Sequence, residues 1–103
     1  MKKLKFEYNS DKFFNRIELK PIDGRKSFYN KCTLLERHGI YYLYSYTTLI
    51  CKWDKNKREF EKLWNGWSQT TQRHVNALME YLGIDKHGKN WWFSLKCCQP
   101  YVY

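Results

Sequence analysis

The sequence predicts an α+β domain: an antiparallel meander of four to five strands packed against one main C-terminal helix, with a short second helix after it. Three observations carry that prediction. Strand-like residues run from Arg16 to Leu63, short polar or glycine-bearing turns divide them, and at Trp67 the apolar repeat changes from two residues to the helical 3.6. Strands followed by helices, rather than alternating with them, point to a sheet covered by helix.

Residues 1–15 read as a lead-in or an edge strand, with Asn9-Ser10-Asp11 as a break. The sheet occupies 16–64. Ile17-Glu18-Leu19 alternates and stops at Pro21, and Asp23-Gly24 turns the chain. Ser27–Glu36 is the next strand, Arg37-His38-Gly39 a turn, and Ile40–Tyr46 a strand rich in Tyr and Leu. Thr47-Thr48 turns into Leu49–Asp54, and Lys55-Asn56-Lys57 leads into Glu59–Leu63. Helices fill 67–95. Trp67, Thr71, His74/Val75, Leu78 and Leu82 line one helical face, with Ser68 as N-cap and Gly83 as terminator. A second helix starts after Gly88 and runs to about Leu95, and 96–103 form a tail. Tyr44 and Val75 are assigned to the core. No repeat, linker or low-complexity tract divides the chain, so one domain over 1–103 is expected.

At 103 residues the core is modest, and with five Trp, nine Tyr and six Phe it is built largely from rings with polar tips. An apolar fraction of 43% excludes disorder. No run approaches the roughly 18 apolar residues of a membrane span, and Met1–Glu7 has no apolar stretch behind its lysines. A cytoplasmic protein without membrane association is expected. The formal charge of +9 rules out DNA mimicry and suits polyanions or acidic protein faces.

The cysteines are Cys32, Cys51, Cys97 and Cys98, and none forms a C-x₂-C pair. With a three-residue turn at Arg37–Gly39 and a two-residue turn at Thr47-Thr48, Cys32 and Cys51 both pair with Tyr44. That places them about two strand spacings, ~9.5 Å, apart, beyond the ~7 Å reach of a disulfide. Adjacent cysteines in an extended tail point opposite ways, so Cys97 and Cys98 share a ligand only if the backbone turns at Lys96–Gln99. A structural zinc held by Cys51, Cys97, Cys98 and either Cys32 or a histidine would staple the tail to the sheet. The competing reading makes Cys32 and Cys51 small strand hydrophobes.

His38 and His87 sit beside glycines in turns, where solvation is the simplest reading. His74 reads as a hydrogen-bonded packing residue on the helix. Phosphate-binding glycine loops and paired acidic metal ligands are absent from the sequence, so an enzyme is not expected. The remaining signal is cations set beside rings: Arg25-Lys26-Ser27-Phe28-Tyr29, Lys52-Trp53, Lys62-Leu63-Trp64 and Lys89-Asn90-Trp91-Trp92. Such residues serve single-strand stacking or a protein interface equally well. The candidate contact residues are Arg25, Lys26, Trp53, Lys57, Arg58, Trp64, Arg73 and Trp91.

Tyr42-Leu43-Tyr44-Ser45-Tyr46-Thr47-Thr48, then Leu63-Trp64-Asn65-Gly66-Trp67-Ser68, Thr70-Thr71, Arg73-His74-Val75-Asn76, Trp92 and Leu95 resemble small phage- and plasmid-encoded proteins of unassigned function. The cysteines depart from that pattern. The chain also resembles a zinc-containing type II anti-CRISPR inhibitor. That resemblance implies a non-catalytic protein that docks on the recognition lobe of an RNA-guided nuclease and prevents target-DNA loading in the host bacterial cell. The alternative expectation is a nucleic-acid-binding accessory protein of a phage or plasmid.

Overall fold

His38 and Gly39 both hold positive φ, 55° and 83°, and Tyr46 holds φ 57°. Two-residue turns with positive φ match the twist of antiparallel strands, and they close the first two hairpins here. In the computed structural model, which describes residues 14–24, 26–29 and 31–103, the strands are β1 (Asn15–Ile17), β2 (Cys32–Arg37), β3 (Ile40–Ser45), β4 (Thr48–Asp54), β5 (Glu59–Lys62) and β6 (Pro100–Val102). Helix α1 (Gln69–Leu82) and the shorter α2 (Lys89–Ser94) lie between β5 and β6. All neighbouring strands are antiparallel, in the order β1-β2-β3-β4-β5-β6.

The α+β class and the meander hold, but the sheet has six strands rather than four or five. The added strand is the expected tail. Pro100 to Val102 pair with Glu61 to Glu59, so the chain returns after both helices to cover the β5 edge. The first strand is also shifted: β1 ends at Ile17, and Glu18 and Leu19 lie beyond it. The reading of residues 1–15 as lead-in falls almost wholly outside the described residues.

The expected register of the cysteines is corrected. Arg37 pairs with Ile40 and Ser45 with Thr48, so the loops are His38-Gly39 and Tyr46-Thr47. Cys32 pairs with Ser45 and Cys51 with Leu43; neither pairs with Tyr44. A bulge accounts for part of the difference. Tyr44 pairs with Leu49 while Leu43 pairs with Cys51, leaving Ile50 as the extra residue. Ile50 and Cys51 are both buried, at 1% and 0% exposure.

Leu34, Leu43, Ile50, Cys51, Trp53 and Phe60 make the sheet's contribution to the core, and Val75, Ala77, Leu78 and Met79 that of α1. Ser68 caps α1 by accepting the Thr71 N–H at 3.0 Å. Gly83, at φ 75°, ends it, with its own N–H and that of Ile84 donating to Glu80 and Met79 carbonyls. The buried arc is wider than the expected stripe because Gln72, Ala77 and Met79 are covered as well. Gln72 accepts from Trp67 Nε1 at 2.8 Å and donates to the His87 carbonyl at 3.1 Å, which ties α1 to the loop before α2. Val75 is core as expected; Tyr44 is only half-buried.

Trp92 anchors α2 at 1% exposure and donates its Nε1–H to the Gly66 carbonyl at 2.8 Å. Gly66 is fixed by close approach: a Cβ there would stand 2.6 Å from Trp64 Cε2. Gly66→Ala is therefore expected to cost about 1–3 kcal/mol by forcing the Trp64 ring aside, read as a lowered midpoint in urea unfolding. A midpoint equal to that of the parent protein would show that the ring yields freely.

Candidate partner-binding surface

Two hairpin turns meet at one end of the sheet. Lys55 N–H donates to the Gly39 carbonyl at 2.9 Å, and the Asn56 amide lies against Gly39. The same end of the sheet carries Arg37 and His38 on one turn and Lys55, Lys57 and Arg58 on the other, all exposed. Two carboxylates at this end, Asp54 and Glu36, are engaged by hydrogen bonds. Asp54 accepts the N–H groups of Asn56 and Lys57 at 3.0 and 3.1 Å. Glu36 accepts Asn15 Nδ2 at 2.8 Å and the Gly39 N–H at 3.0 Å. Those bonds, Asn15 foremost, hold the Glu36 carboxyl below its ordinary range.

The candidate contact residues that the structure describes are not brought together. Lys57 and Arg58 are exposed at the paired turns, and Arg58 also donates Nε–H to the Tyr103 carbonyl at 3.3 Å while lying over the Trp53 ring. Lys26 is exposed near the start of β2, the opposite end of that strand from Arg37. Arg25 lies outside the described residues. Trp53 is corrected: at 3% exposure it belongs to the core and cannot touch a partner. Trp64 is half-buried against the core, and Arg73 is half-buried and paired with Asp23 at 3.2 Å. Trp91 is half-buried between Phe60 and His87, stacked on the latter at 4.6 Å and 17°. His87 is thus a packing residue, not a freely solvated one.

The sequence reading missed three features. Tyr29 and Tyr46 are 67% and 56% exposed near the start of β2, where the Lys31 ammonium lies 5.9 Å from the Tyr46 ring. Lys62 is buried at 3% exposure, its ammonium donating to the Trp92 carbonyl at 2.9 Å and lying 5.2 Å over that ring. A groove of about 490 Å³ between β6 and the α1–α2 connection is lined by Arg58, Ile84, Asp85, His87, Tyr101 and Tyr103. The Tyr103 hydroxyl is buried without a hydrogen-bond partner among the described residues, and burial foremost pushes its pKa up to about 12.

His74, Cys32 and Cys51 are held in their uncharged forms inside the fold. Ser45 Oγ lies 2.9 Å from His74 Nδ1 and 3.3 Å from Thr71 Oγ1, which in turn accepts from Ser68 at 3.0 Å. This chain of polar groups crosses from β3 to α1, with the Phe28 ring edge-on to His74 at 4.6 Å. Burial, aided by the charge of Arg73, lowers the His74 pKa to about 4, and burial raises Cys32 to about 12. Cys51, fully buried with Cys32 near it, is also raised. A neutral imidazole and protonated thiols are the reverse of what a thiolate–imidazolium pair requires. Cys97 and Cys98 are elsewhere, in the turn before β6. Among the described residues no three His, Cys, Asp or Glu side chains gather where one metal ion would sit.

A family model described as Family of unknown function (DUF8033) matches residues 17–94. The chain belongs to this family. The part matched to DUF8033 runs from the last residue of β1 through α2 and leaves out Cys97, Cys98 and β6. No curated protein and no solved structure matches. Among the described residues, no helix is long and apolar enough to cross a membrane.

Proposed function

We propose that this DUF8033 protein is a non-catalytic binding protein that acts by docking its basic hairpin end on an acidic protein face. The observation that carries the reading is the exposed cation group Lys55, Lys57 and Arg58, on the same end of the sheet as Arg37 and His38, where the two turns adjoin through Gly39 and Lys55. The buried His and Cys groups, held neutral, support a role outside catalysis. The resemblance set out above adds the biological proposal: an inhibitor of a bacterial defence system, with a type II RNA-guided nuclease as partner and blocked target-DNA loading as its effect. A second reading, nucleic-acid binding, is favoured by Lys31 beside the exposed Tyr46 and Tyr29 rings, which suit base stacking.

One set of measurements separates these readings. With a purified type II effector and guide, the chain should form a complex and reduce target-DNA loading. Lys55→Glu/Lys57→Glu should weaken that complex by about tenfold or more without lowering the melting temperature, because both side chains are exposed. Arg58 is left alone because it also holds Tyr103. No complex and undiminished loading would reject the nuclease as partner. Binding of the chain to single-stranded nucleic acid, with an affinity falling steeply in salt, would favour the second reading.

A further inference from the structure

Cys97 and Cys98 form a pair of nucleophilic side chains that the proposed docking function does not use. Neighbouring residues in an extended chain point to opposite sides, yet here the two Sγ atoms are 3.3 Å apart. Cys98 makes this so by adopting φ 66°, the left-handed region that favours glycine. The turn is pinned on its far side: Cys98 N–H donates to the Lys62 carbonyl at 2.6 Å, two residues before β6 pairs with β5. Cys98 is exposed, Cys97 and Cys32 are half-buried, and Cys51 is sealed in the core. Access and proximity therefore single out one pair of the four.

We propose that Cys97 and Cys98 are a vicinal dithiol modification site that closes into a disulfide by exchange with a low-molecular-weight disulfide such as glutathione disulfide. In the first step one cysteine thiolate attacks a glutathione sulfur, forming a mixed disulfide and releasing one glutathione thiolate. The second cysteine, as thiolate, attacks the protein-side sulfur of the mixed disulfide, which breaks that bond and releases the second glutathione. Two electrons pass from the cysteine pair to glutathione disulfide, and the two thiol protons end on the two glutathione molecules. Closure draws the sulfurs from 3.3 Å to about 2.05 Å. The backbone between them must turn, and the Cys98 N–H···O bond to Lys62 is the contact it disturbs. The oxidation state thereby acts on how β6, with its exposed Tyr101 and Val102, sits on β5.

The experiment incubates the native protein with glutathione disulfide at mildly alkaline pH, quenches with acid, and reads intact and peptide masses. The expected product has lost two hydrogens in the peptide containing Cys97 and Cys98, carries no glutathione, and returns to the dithiol with excess reduced glutathione. Cys97→Ser and Cys98→Gly should each stop at a stable mixed disulfide on the remaining cysteine; the glycine variant keeps the left-handed turn, so its fold is preserved. Persistent glutathione on the wild-type pair, two unreacted thiols, or a disulfide involving Cys32 or Cys51 would each overturn the proposal.

Discussion

Acidification from pH 7 to pH 4.5 is expected to cost the fold about 2.5 kcal/mol through His74 alone. In the unfolded chain the imidazole takes up a proton near its ordinary value of 6.5, whereas in the folded chain burial holds protonation off until about 4. Between those values the unfolded state binds more protons, so stability falls as pH falls through that window and levels off below it. Above 6.5 the ring is neutral in both states and adds no pH dependence. Urea unfolding at pH 7, 5.5 and 4.5 measures the slope. His74→Gln should be less stable at pH 7, because the contacts with Ser45 and Phe28 change, but its stability should vary much less with pH. Equal slopes for the two proteins would refute the assignment to His74. The window is kept above 4.5 because Glu36, with a lowered pKa, adds its own loss of stability below that value.

Trp92→Ala is expected to be the most damaging single substitution among the aromatic residues of the helices, at about 3–5 kcal/mol. The ring is 1% exposed and lies 6.4 Å from Phe60 and 6.2 Å from Trp91, measured between centroids. Its Nε1–H holds the Gly66 carbonyl in the corner between β5 and α1, and its face receives the Lys62 ammonium. Removal leaves a cavity, an unbonded carbonyl and a buried lysine with one interaction fewer. Trp92→Phe should lose less, since it refills most of the space and gives up chiefly the hydrogen bond. Chemical denaturation compares the three proteins, and an alanine variant within about 1 kcal/mol of wild type would show that α2 does not anchor the corner.

The hairpins were legible because their turns announce themselves: His38-Gly39 and Lys55-Asn56-Lys57 break strand-like runs, and Ser68 and Gly83 bracket α1. The register was not, because the bulge at Ile50 has no mark in the sequence and the first turn is one residue shorter than its polar stretch. Strand β6 was missed since its partner is β5, with two helices intervening, and three residues carry too little pattern to reveal such a pairing.

The contact residues failed for a sharper reason. Lys52-Trp53 reads as a cation beside a ring, but successive strand residues face opposite sides, so Trp53 enters the core while half-buried Lys52 faces the other way toward Glu61 at 3.7 Å. The cation–ring contacts that form are non-local: Arg58 over Trp53, Lys62 over Trp92, Lys89 over Trp67. Adjacency in a strand argues against a shared surface, not for it.

The late return of β6 also sets an order of events during synthesis. Strands β2 to β5 can zip together by local hairpins as they leave the ribosome. The outer edge of β5 stays bare until both helices and the final strand have emerged, so Glu59–Glu61 form the nascent chain's open flank for the longest time. Glu59 and Glu61 put two negative charges on that flank, a deterrent to pairing with another copy before the sixth strand arrives.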